Sequence, residues 1–103
     1  MTSAVQDKKH LFHTLKANST RIKSFGVKSL GVFGSFANGI PDAASDVDFL
    51  VGFDPEKKTF DNFMELSFFL EELLGRKVEI VTPQSLNRHI GPHILNNAEY
   101  VSL

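Results

Sequence analysis

The spacing of apolar residues changes along the chain, and each change predicts an element. Leu11, Leu15 and Ile22, with Phe12 and Phe25 beside them, recur at helical intervals. Asn18-Ser19-Thr20 interrupts this stripe and can cap a second short helix, and Gly26 sits where a helix stops. One bent helix, or two helices, are therefore expected between Val5 and Phe25. Val27 to Phe33 alternates, with Leu30 and Val32 on one face and Gly31 and Phe33 on the other, and ends at the turn signal Gly34-Ser35. A loop bearing Gly, Pro and Asn runs from Asn38 to Ser45. Asp46 to Phe53 predicts a second strand, with Val47, Phe49 and Val51 facing one way and Asp46, Asp48 and Leu50 the other. Phe60 to Leu74 reads as a helix lined by Phe63, Leu66, Leu70, Leu73 and Leu74. Asn62 and Glu65 are spaced as a capping box at its start, and Gly75 terminates it. Lys77 to Val81 predicts a third strand, with Val78 and Ile80 on one face and Glu79 on the other. Ser85 to Asn96 is weakly helical, and Gly91-Pro92 is expected to break or offset it. Glu99 to Leu103 predicts a last short strand. The order α, β, β, α, β, α, β predicts an α/β (α+β) fold, a small sheet with helices packed on it.

Composition narrows the function classes. The 103 residues suit one domain, spanning 1–103, and the balance of 42% hydrophobic to 22% charged residues excludes intrinsic disorder. Without cysteine, disulfide scaffolds, thiolate metal sites and thiol nucleophiles are excluded, which fits a reducing compartment. A formal net charge of -1 supplies no bulk positive field, so direct binding of nucleic acid or of an anionic membrane is not expected. Apolar runs fall far short of a membrane span, and Met1 to His13 is too polar for a signal peptide. The expected setting is cytoplasmic.

The near-neutral total conceals an uneven distribution. Met1 to Lys28 carries six bases against one acid, Asp7. Ser29 to Glu56 carries five acids, Asp42, Asp46, Asp48, Asp54 and Glu56, and no Lys or Arg. Carboxylates without internal counter-charges are either solvated turn residues or groups that await a cation.

Three features inside or beside this acidic stretch carry candidate chemistry. Gly34-Ser35 follows a strand directly, where a glycine allows close backbone approach to a ligand and a following helical turn aims N–H groups at phosphate. Asp46-Val47-Asp48 places two carboxylates on one face of a strand, either as solvated edge acids or as hard oxygen ligands for Mg²⁺. Glu79 adds a third carboxylate to this cluster if its strand lies beside that of Asp46; otherwise it is an ordinary exposed strand residue. Three carboxylates can hold two Mg²⁺.

Together these residues resemble the DNA polymerase β-type nucleotidyltransferase superfamily. The match lies in Gly34-Ser35-Phe36-Ala37-Asn38-Gly39, followed by Ser45-Asp46-Val47-Asp48-Phe49-Leu50-Val51. The short length points to its minimal nucleotidyltransferase group. The resemblance implies a nucleotidyltransferase fold with a small mixed β-sheet. It also implies Gly34 and Ser35 on the nucleotide phosphates, Asp46 and Asp48 on Mg²⁺ (two ions), and Glu79 completing the site as base or ligand. Members commonly serve as antitoxins beside a HEPN-domain toxin, in a type VII-like system, and transfer AMP from ATP to a tyrosine hydroxyl of that toxin. In-line phosphoryl transfer suits these residues, because it needs positioning and charge neutralisation rather than a protein nucleophile. The chain departs from the family pattern at Asn38, where many members carry arginine, and Glu79 stands where Asp is frequent. The loop after Asn38 carries Asp42 and no base. These departures keep two alternatives open, a weak or inactive module that neutralises its partner by binding alone, and transfer to a small-molecule acceptor. A chain of this length leaves no room for an acceptor-recognition domain, so specificity is expected to come from a partner.

Other groups carry less. His10 with His13, and His89 with His93, have zinc-compatible spacing but read better as surface or capping residues, the second pair because Gly91-Pro92 lies between them. Phe68 and Phe69 are adjacent and cannot both face one core, so one of them is expected at an oligomer or partner interface. Lys8, Lys9, Arg21 and Lys23 read as a solvated helical face. Tyr100 is the sole tyrosine.

Overall fold

The computed structural model describes residues 5–38, 45–85 and 91–103. The predicted N-terminal helical stripe forms two helices, α1 (Lys8–Ala17) and α2 (Ser19–Ser24). Asp7 caps α1 by accepting from the His10 N–H (2.7 Å), and Asn18 marks the break between the two. Strand β1 (Val27–Phe33) follows. A single helical turn, α3 (Ser35–Asn38), comes directly after Gly34, and β2 spans Val47–Phe53. Helix α4 (Phe60–Leu74) ends at Gly75, whose φ of 66° gives the left-handed cap that a side chain disfavours. Strand β3 (Val78–Val81), a 3-10 turn at Pro83–Ser85, α5 (Gly91–Asn97) and β4 (Glu99–Val101) complete the chain.

One expectation needs correction. The cap of α4 is Thr59, whose hydroxyl accepts from the Asn62 N–H (3.1 Å), and Asn62 itself lies within the helix. Threonine three residues earlier offers the same oxygen at the position where the chain is still extended. Gly91-Pro92 stands at the start of α5, where proline is tolerated because its missing N–H would have no partner in a first turn. Asp42, Gly39 and His89 lie outside the described residues, as do the side chains of Asn38 and His93.

The four strands form one mixed sheet in the order β3-β2-β1-β4. β1 pairs antiparallel with β2 and with β4, whereas β2 pairs parallel with β3. A parallel pair needs a long crossover, and α4 supplies it. One face of the sheet presents Leu30, Val32, Val47, Phe49, Val51, Val78 and Val101 to Leu11 and Leu15 of α1, Ile22 of α2, and Leu66, Leu70 and Leu74 of α4. Most of these side chains are fully buried, and Phe36 of α3 joins them with no exposed surface. Burial of this apolar face fixes the register, since a slip by one residue would turn every core side chain outward. Phe69 packs against this core and against Phe25 (ring centroids 5.4 Å apart), whereas Phe68 is 61% exposed. The adjacent pair divides as expected. Among the described residues no helix is long and apolar enough to cross a membrane.

Gly26 joins α2 to β1 at φ 88°, and a Cβ there would lie 2.6 Å from Lys57 Cβ. Gly26→Ala is expected to lower the unfolding free energy by about 2 kcal/mol, from strain at positive φ added to this contact. Urea denaturation of the two proteins measures the difference.

Candidate active site

The sheet register gathers the residues singled out in the sequence. Phe33, the last residue of β1, pairs with Asp48 of β2, and Asp48 in turn pairs with Glu79 of β3. Residues paired in register project to the same face, so both carboxylates stand off the side opposite the core. The condition for Glu79 to join the cluster, adjacency of its strand to the aspartate strand, is met. Asp46 lies just before β2 and is exposed. Its neighbour Val47 is tied to the residue preceding β3 by an N–H bond to the Lys77 carbonyl (3.0 Å).

Gly34 turns the chain out of β1 at φ 74°, and a side chain at this position would collide with Asp48 Oδ2. The glycine therefore serves two needs, a left-handed backbone and space for the carboxylate. Ser35 opens α3 immediately afterwards, and buried Phe36 anchors that turn to the core. On the same face Leu50 is buried, and the Tyr100 ring lies against Gly31.

The electrostatics of Asp48 reflect this crowding. Burial, and then the negative charges of Glu79 and Asp46, push its carboxyl up from 3.8 to about 6. Among the described residues no basic side chain pairs with any of the three acids, whereas Lys8 and Glu99 pair elsewhere, tying α1 to β4. The described residues contain no group of three His, Cys, Asp or Glu side chains gathered tightly enough to hold one ion as they stand. Asp48 and Glu79 are nonetheless neighbours, and a cation between them would relieve their repulsion.

The described residues also form a groove away from these acids. A groove of about 630 Å³ between α2 and α4 is lined by residues such as Arg21, Phe25, Asn62 and Glu65. It contains none of the three clustered carboxylates, and the chemistry points to the sheet face instead. Sequence reasoning missed Arg76. Its Nε donates to the Val5 carbonyl (2.6 Å), its Nη1 donates to the Ser45 carbonyl (2.9 Å), and its guanidinium stacks 5.0 Å from the centre of the Phe36 ring. The available signal was an arginine directly after a helix-terminating glycine, which tertiary contacts alone make specific. His10 and His13 are exposed on α1, as a surface reading requires.

The raised pKa of Asp48 predicts a pH-dependent cost. A carboxyl that titrates higher in the folded state stabilises the fold while protonated. That contribution is complete below 3.8 and is lost as pH rises through about 6. Asp48→Asn is therefore expected to be more stable than wild type at pH 7 without divalent cations, by on the order of 1 kcal/mol once solvent screening of this half-buried group is allowed for. The difference should fade as pH falls from 6 to 4. Paired thermal denaturation across this range would show it, and a difference independent of pH would contradict it.

Known proteins resemble this chain in sequence and in fold. Protein adenylyltransferase MntA of Thermococcus cleftensis is 43% identical over 77 residues, covering 75% of this chain and 77% of that protein. A Methanocaldococcus jannaschii protein, provisionally named a protein adenylyltransferase, is 36% identical over 76 residues, 73% of each chain. A solved structure provisionally described as a minimal nucleotidyltransferase superposes with a TM-score of 0.81 at 30% identity, covering 94% of this chain and 98% of that one. A toxin–antitoxin structure with AMP-PNP shares the fold at a TM-score of 0.57 and 18% identity, over 92% of this chain and 72% of that one. The nucleotidyltransferase domain family matches residues 14–101, which include the Gly34-Ser35 turn and both acid-bearing strands, and the chain belongs to that family.

Proposed function

We propose that this protein transfers AMP from ATP, with Mg²⁺, to a tyrosine hydroxyl of a HEPN-domain toxin, and so acts as its antitoxin. The observation that carries this reading is the pairing of Asp48 with Glu79 beside the Gly34 turn. A protein acceptor is supported by the relatives named protein adenylyltransferases, which favours it over a small molecule. The toxin–antitoxin structures that share this fold are the motive for an antitoxin role.

The donor set fits Mg²⁺ in kind. The three carboxylates are hard oxygen ligands, and burial, followed by the charges of Glu79 and Asp46, raises the Asp48 pKa. Asp46 and Asp48 would hold the metal, with Glu79 beside them. When bound, it would neutralise charge on the phosphates. The chain's own residues have separable tasks. Gly34 leaves room for Asp48 and allows the nucleotide close to the backbone. The Ser35 hydroxyl donates a hydrogen bond to a phosphate oxygen. Glu79, exposed next to Asp48, accepts the proton of the incoming hydroxyl. The hydroxyl oxygen forms a bond to the α-phosphorus, the bond from that phosphorus to the bridging oxygen breaks, and pyrophosphate leaves with the electron pair.

A second reading, neutralisation by binding alone, is favoured by Asn38 at the position where the family pattern has arginine. The two readings separate in one experiment. The protein is incubated with α-labelled ATP, Mg²⁺ and the product of the adjacent gene. Label should pass to that product, and Asp46→Asn with Asp48→Asn should slow transfer by about a thousandfold. Absence of label from the wild-type reaction would overturn the enzymatic reading. Full neutralisation of the partner in cells by the double variant would establish the binding-only one.

A further inference from the structure

We propose that Arg76 is a positioning residue that holds the phosphate-binding turn and the carboxylate strand in their working arrangement. The inference rests on the nucleotidyl-transfer reading and adds a residue that neither the motif nor the carboxylate cluster contains.

The need for such a residue follows from the sheet. The Phe33–Asp48 pair fixes Asp48 relative to Gly34 through the strand ladder. Asp46 lies beyond the last paired residue of β2, so that ladder does not fix it. Ser35 likewise lies beyond β1, on a single turn too short to hold itself in place. Arg76 reaches both. Its Nη1 donates to the carbonyl of Ser45, the residue before Asp46 (2.9 Å). Its guanidinium lies 5.0 Å from the centre of the Phe36 ring, the residue after Ser35, which is wholly buried. A third contact, from Nε to the Val5 carbonyl (2.6 Å), anchors the side chain to the segment before α1. The backbone of Arg76 is itself placed, between the left-handed Gly75 and the start of β3. Contacts of this one planar group, among them the two hydrogen bonds and the ring contact, therefore join four parts of the chain. Only arginine offers this combination, since lysine has neither the fork nor the flat face.

The test uses Arg76→Gln and Arg76→Lys in the full chain, well below the melting temperature of each variant, with circular dichroism confirming the fold. Binding of Mn²⁺ with ATP is followed by calorimetry, and transfer is followed at saturating nucleotide. Arg76→Gln should weaken binding by about tenfold and slow the saturated rate by about a hundredfold, because the phosphate turn and Asp46 lose their mutual placement. Arg76→Lys should recover part of both. A simple packing defect would lower the melting temperature without a loss of saturated rate that lysine partly repairs. Amide NMR of the ligand-free proteins supplies a readout independent of activity. The Ser35 and Asp46 signals should both move in Arg76→Gln. Should that variant not fold, Arg76→Lys and Phe36→Leu carry the same comparison. A folded variant with unmoved Ser35 and Asp46 signals, or with binding and rate within about twofold of wild type, would overturn the proposal. If wild type itself bound no Mn²⁺ with ATP, the nucleotidyl-transfer reading would fail, and the amide comparison would still decide the placement by Arg76.

Discussion

Two carboxylates, Asp48 and Glu79, stand side by side across a parallel strand pair without a basic partner among the described residues. Left to themselves they would move apart or take up a proton, and burial together with the charge of Glu79 raises the pKa of Asp48 accordingly. They are held by the opposite face of the same strands. Val47, Phe49 and Val78 flank the acids in sequence and lie in the core beneath α1, α2 and α4. Relief of the repulsion by a register slip would expose that whole apolar face. Core burial thus maintains an electrostatic arrangement that is unfavourable in itself, as functional sites frequently do.

This division of labour organises the molecule. The helices cover one side of the sheet and stabilise it, and the acidic side chains of Asp48 and Glu79 stand on the other. A groove among the helices holds none of the three acids. Gly34 and Arg76 adjust the boundary between the two sides. Gly34 admits the carboxylate by having no side chain, and Arg76 ties the buried end of α3 to the backbone leading into β2. An open carboxylate edge suits an acceptor that arrives on another protein.

The sequence was informative where one residue's surroundings are local. Alternation in Val27–Phe33 and Asp46–Phe53 located two strands, and the Asp46–Asp48 spacing with Gly34-Ser35 pointed to the candidate site, because period and turn chemistry are nearest-neighbour properties. Adjacency of Glu79 to Asp48 could be stated only as a condition, since strand order is a tertiary fact that α4 decides as a crossover. Thr59 was overlooked as a cap because Asn62 offers the same chemistry three residues on. Arg76 was illegible for a similar reason. Its partners Val5, Phe36 and Ser45 are distant in sequence, and two of its contacts are to backbone carbonyls, which carry no residue signature.

The central claim is that Asp46, Asp48 and Glu79 act together as a cation site beside the Gly34 turn. Paramagnetic broadening by Mn²⁺, read across the amide spectrum of the wild-type chain, tests it most directly. At low Mn²⁺ the account predicts selective broadening of Gly34, Asp46, Asp48 and Glu79, with the α2 and α4 signals around Arg21 and Glu65 unaffected. Uniform broadening, or broadening centred on Glu65 and Glu72, would contradict it.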